Sequence, residues 1–95
     1  MFVLGFDRFC VGDVVRHFKY ETLTEEEKKR NKYTYQIDHV AKHTETGEDL
    51  IIYHSLDGSK KICARPMEMF ISEVDHHKYP NIKQKYRFEV LREMI

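Results

Sequence analysis

Apolar and polar positions alternate along most of this chain with the two-residue period of half-buried strands, and one charged segment breaks the rhythm. After the turn-forming Val11-Gly12-Asp13, residues 14–20 interleave β-branched and aromatic side chains with polar ones, which predicts a first strand. From 33 to 42 the odd positions are Tyr33, Tyr35, Ile37, His39 and Ala41 while the even ones are mostly polar, predicting a second strand in which Val40 marks a bulge. The polar loop 44–48, with Gly47 free to take a positive φ, leads into a third strand over 50–56 that is apolar on both faces at its start and therefore central. Asp57-Gly58 predicts a two-residue hairpin returning the chain into a fourth strand over 60–64. Pro66 suits the first position of a short helical turn over 66–70, whose Met67, Met69 and Phe70 are spaced to cap one end of a small barrel. Beyond a polar loop over 75–81, Ile82, Gln84, Tyr86, Phe88 and Val90 alternate with Lys83, Lys85, Arg87 and Glu89, the pattern of a final strand. Ile82, Tyr86 and Val90 also fit one face of a helix, and both assignments stay open.

The segment that breaks the rhythm is 23–32. Thr24 stands three residues before Glu27, the spacing of a capping box, and the acids 25–27 precede Lys28, Lys29 and Arg30 in the order that suits the helix dipole. No apolar residue lies between Thr24 and Lys32, so this short helix has no face to bury and is a solvated excursion from the core.

A length of 95 residues allows one domain, 1–95, and 41% apolar residues against 34% charged is enough for a real core. Lys plus Arg and Asp plus Glu both number 16, so no net field steers the chain to nucleic acid, and any charge-based recognition is local. Cys10 and Cys63 have no CxxC spacing and are too few for a disulfide framework, which predicts free, buried thiols in a reducing cytoplasm. The apolar lead Phe2, Val3, Leu4 and Phe6 is broken by Gly5, Asp7 and Arg8 before it reaches signal-peptide or membrane-span length, so no membrane association is expected.

Several stretches, in order, carry a family resemblance: Val11-Gly12-Asp13 with Arg16-His17-Phe18-Lys19, the run from Ala41 to Glu48, Ala64-Arg65-Pro66 with Met69-Phe70, and Gln84 to Phe88. Together they resemble the bacterial domain of unknown function numbered sixteen fifty-three, over residues 9–89. The resemblance implies a mostly-β domain, a small SH3-like barrel of about five antiparallel strands with bacterial and phage distribution, and it implies no activity. Members shorter between the first two strands make 23–32 resemble an insertion.

Six histidines raise the question of a metal. His39 and His43 on one strand would stand about 13 Å apart, too far to share an ion, and His76-His77 has no further ligand at suitable spacing, so neither a metal nor a cofactor is expected. Cys63, His17, His43 and Glu73 could supply a nucleophile, a base and an orienting group, but Cys63 sits between Ile62 and Ala64 on a strand, where a packed thiol is the simpler reading. An enzyme acting on a nucleotide-like substrate is therefore the second hypothesis. The first is a binding or interaction module for a nucleotide, nucleic acid or other phosphate-bearing ligand. Its candidate residues are Arg16, His17, Lys19, Tyr35, His43, Tyr53 and Arg65, since arginine forks hold phosphate and tyrosines offer flat faces. For Arg65 an internal pairing with Glu68 or Glu73 outweighs ligand contact. A weaker nucleic-acid patch is formed by Lys78, Lys83, Lys85, Arg87 and Arg92 against Glu89, though lysines also protect strand edges from aggregation. A homo-oligomer or peptide-binding domain built on an exposed strand edge is the third hypothesis.

Overall fold

A computed structural model describes residues 8–91; the apolar lead before Arg8 and the charge of Arg92 lie outside them. The alternating runs form strands β1 (Val14–His17), β2 (Thr34–Lys42), β3 (Asp49–Ser55), β4 (Ile62–Pro66) and β5 (Phe88–Val90). All neighbours pair antiparallel in one sheet of order β4-β3-β2-β1-β5. β3 is interior, as its doubly apolar start requires. The architecture is mostly β and consistent with a small SH3-like fold, but the sheet does not close: β4 and β5 are its edges. Across the gap Arg65 of β4 rests 5.4 Å from the ring of Phe88 on β5.

Inside the curve lie Phe9, Val15, Ile37, Ile51, Tyr53, Phe70 and Phe88, with Val40, Cys63, Met67 and Ile71 packed around them. Helix α2 (Met67–Phe70) plugs the opening with Phe70 and Met67, whereas Met69, expected to join them, is 45% exposed, and Pro66 ends β4 and caps the helix instead of opening it. Its Phe70 stacks flat on Phe88 at 4.2 Å and 5°. Helix α1 (Glu25–Lys29) has the predicted capping box, Glu27 N–H donating to Thr24 Oγ1 at 3.2 Å and Thr24 N–H to Glu27 Oε1 at 3.0 Å, and buries nothing.

Five further expectations are corrected. β1 stops at His17 instead of running to Tyr20, because the imidazole Nδ1 accepts the Lys19 N–H and caps a 3-10 helix over Phe18–Thr22. The bulge falls at Asp38, between Ile37 and His39, and not at Val40. The His54 ring holds the Asp38 carboxylate at 2.8 Å, and the extra residue lets both Ile37 and Val40 pack on the core. The β3–β4 connection is longer than two residues, spanning 56–61. Ser55, Asp57 and Ser59 side chains accept the N–H groups of Asp57, Ser59 and Lys61, and Gly58 and Lys60 take φ of 98° and 57°. Those side chains offer the backbone partners that a tight ladder would otherwise supply.

The final strand shrinks from 82–90 to β5, and the helical alternative is absent. The Glu21 carboxylate accepts the N–H groups of Lys83 and Gln84 at 2.9 and 2.8 Å. The Gln84 amide in turn donates to the carbonyls of Arg16, Tyr86 and Arg87, so these groups are satisfied without a ladder. Lastly, Cys10 and Cys63 are free but only half-buried.

Candidate anion-binding site

The cap at His17 and the clamp at Gln84 bring four parts of the chain to the open side of the sheet. They enclose a cavity of about 300 Å³ lined by His17, Phe18 and Lys19 from the end of β1, Arg65 from β4, Asp75, Lys78 and Tyr79 from the polar loop, and Arg87 just before β5. Four permanent cations thus face one carboxylate. Asp75 is already engaged, its Oδ1 accepting the N–H groups of His77 and Lys78 at 3.0 and 3.3 Å.

The electrostatics show in His17. Burial, then the charges of Arg65, Lys19 and Arg87, hold its pKa down from 6.5 to about 4. The ring is neutral at neutral pH, and because Nδ1 accepts from the Lys19 N–H at 3.1 Å, its proton sits on Nε2. His17 also stacks on Phe18 at 4.4 Å and meets Phe88 edge-on at 5.0 Å. Arg87 keeps its backbone in place through Ser72 and Phe18, yet its buried Nε has no hydrogen-bond partner. A buried, unpaired donor of this kind costs about 1–3 kcal/mol unless something accepts from it.

Arg65 does not pair with Glu68 or Glu73. Its Nε donates to the Tyr53 hydroxyl at 3.2 Å and its plane packs towards Phe88, which aims a fixed guanidinium at the cavity without neutralising it. On its other side Arg65 also lines a second cleft of about 410 Å³, shared with Tyr33, Tyr35, Tyr53 and Cys63. The Tyr35 and Tyr53 rings meet edge-on at 5.2 Å, and burial pushes the Tyr35 phenol up to about 12.

Of the residues singled out from the sequence, His17, Lys19 and Arg65 share the cavity, and Tyr35, Tyr53 and Arg65 share the cleft. Arg16 points elsewhere, its guanidinium 3.8 Å from the Tyr20 ring. His43 organises the β2–β3 turn, its Nδ1 accepting the N–H groups of Glu45 and Thr46. The basic C-terminal patch divides: Lys78 and Arg87 join the cavity, whereas the Lys83 N–H is held by Glu21 and Lys85 lies 5.3 Å from the Tyr86 ring. Cys63, His17, His43 and Glu73 fall in four different settings, Glu73 forming a bridge to Tyr86. Among the described residues no group of three His, Cys, Asp or Glu side chains is placed to hold a metal, and no helix is long and apolar enough to cross a membrane. Sequence reasoning missed Phe18, Asp75 and Tyr79 as cavity residues; the interleaving of Tyr79 among lysines was the one available signal.

A family model described as a protein of unknown function, DUF1653, matches residues 13–90. The chain belongs to this family. No curated protein and no solved structure matches it. The span that matches DUF1653 opens just before β1 and closes with β5, and so contains every residue lining the cavity and the cleft.

Proposed function

We propose that this DUF1653 domain is a non-enzymatic binding module whose cavity takes the phosphate of a nucleotide, nucleic acid or other phosphate-bearing ligand. The observation that carries this is the convergence of Lys19, Arg65, Lys78 and Arg87 on one cavity that holds a single carboxylate, Asp75, one of whose oxygens already accepts two backbone N–H groups. Four cations against one carboxylate leave an excess of three positive charges, which an anion there would offset while accepting charge-assisted hydrogen bonds. The free thiols of Cys10 and Cys63 agree with a reducing, cytoplasmic setting.

Titration with inorganic pyrophosphate tests the reading. Binding should weaken at least about tenfold in Lys78→Gln and in Arg87→Gln and fall steeply with salt. Both changes spare the backbone bonds of those residues. Unaltered binding in both variants, or none in the wild type, defeats the proposal.

A second reading rests on the β4 edge, where Ile62 is 73% exposed: an unpaired strand edge can add a second copy or a peptide strand. Sedimentation that shows no change with concentration for the wild type removes self-pairing.

A further inference from the structure

The basic cavity and the tyrosine-lined cleft are separated by no more than a side chain. Arg65 lines both, and the His17 ring of the cavity lies 5.7 Å from the Tyr33 ring of the cleft. We infer that the two form one bipartite site for a nucleoside 5′-monophosphate, with the phosphate among Lys19, Arg65, Lys78 and Arg87 and the base in the cleft against Tyr33 and Tyr35. This rests on the phosphate reading above and adds the class of the group that the phosphate carries.

Three features of the cleft favour a base over a plain alkyl or peptide chain. Its walls are aromatic: Tyr33 and Tyr35 both line it and are only half-buried, which suits them to border a flat heterocycle. Tyr33 has φ of 62°, a left-handed backbone that a bulky side chain rarely adopts and that the surrounding fold must hold in place. It sits where its ring joins cleft to cavity. The far rim carries hydrogen-bonding groups from the β3–β4 connection, among them Asp57, whose bonds from Ser59 hold its carboxyl down to about 2. An exposed carboxylate that stays ionised accepts from exocyclic amino groups or ribose hydroxyls. Lys32 and Lys61 line the cleft as well, so Asp57 is its one carboxylate acceptor among donors, a mixed polar rim around the aromatic walls.

The nucleotide could be free in solution or be the phosphorylated end of a strand. Calorimetric titration of the full chain with inorganic phosphate, the common ribonucleoside 5′-monophosphates and a 5′-phosphorylated dinucleotide separates these. The expected result is that at least one monophosphate, or the dinucleotide, binds about tenfold or more tighter than inorganic phosphate, the order of gain that base stacking supplies. A free nucleotide that matches the dinucleotide identifies the small ligand, and a preference for the dinucleotide identifies the strand end. Tyr33→Gly and Tyr35→Leu should each bring nucleotide affinity down towards that of phosphate while leaving phosphate binding unchanged. Glycine adopts the Tyr33 backbone without strain, so that variant tests the ring and not the fold. Nucleotides that bind no tighter than phosphate, or a preference that survives both variants, would overturn the bipartite site while the phosphate cavity stands. Absence of binding by phosphate and nucleotides alike overturns both.

Discussion

Lowering the pH from about 7 to about 5 should cost this domain about 1–2 kcal/mol of stability through His17 alone. In the unfolded chain the imidazole titrates at its ordinary 6.5, whereas burial and the charges of Arg65, Lys19 and Arg87 hold it at about 4 in the fold. Between those values the unfolded state takes up a proton that the folded state refuses. The contribution is therefore complete above pH 6.5, declines as the pH falls through the window, and is flat below about pH 4. At about 1.36 kcal/mol per pH unit the ceiling is about 3 kcal/mol, and water at the mouth of the cavity screens this to about half. Urea unfolding across the window, compared between wild type and His17→Asn, isolates the effect. Asparagine keeps an acceptor for the Lys19 N–H that caps the 3-10 helix but has nothing to titrate. The wild-type stability should fall away relative to the variant with acid, and added pyrophosphate should shrink the loss by opposing the fields of the three cations. Two curves that stay parallel within about 0.3 kcal/mol would refute the argument that His17 is desolvated among unneutralised cations.

Phe88→Ala should destabilise the domain by about 3–5 kcal/mol in denaturant unfolding, since the ring is fully buried, stacks on Phe70 and supports His17, Tyr53 and Arg65. Thr24→Ala removes one half of the capping box, yet α1 buries nothing, so amide exchange should rise across 25–29 while global stability moves by less than about 0.5 kcal/mol. Tyr35→Phe should leave the phenolate absorbance rise up to about pH 11 unchanged, because the Tyr35 phenol ionises only at about 12; a smaller rise would show the ring to be solvated.

What could be read from the sequence was local. The capping box of α1 lies within three residues of Thr24, the interior position of β3 is written in Leu50-Ile51-Ile52, and the Pro66 turn announces its own plug. What could not be read depends on partners far along the chain. The bulge moves to Asp38 because His54 on the neighbouring strand binds its carboxylate. The last strand shortens because Glu21, 62 positions earlier, takes the Lys83 N–H. The hairpin lengthens because three hydroxyl and carboxylate side chains around Gly58 outbid the ladder. The same divide runs through the site. His17 and His43 look alike in sequence, each beside a basic residue, but the first caps a helix inside a cationic cavity and the second ties a turn. Lys78 and Arg87 read as members of a lysine-rich stretch until the Gln84 clamp separates them from Lys83 and Lys85.

That clamp also sets a timetable. The Gln84 amide reaches the Arg16 carbonyl across 68 positions, and β5 pairs with β1, so the cavity has no complete wall until the end of the chain returns to its beginning. The meander β1 to β4 joins strands adjacent in sequence and can assemble quickly, while the closure that places Arg87 beside His17 must overcome a long loop and should come late. Ligand capture during refolding would therefore act as a clock for the last step, lagging behind the burial of the meander's own core.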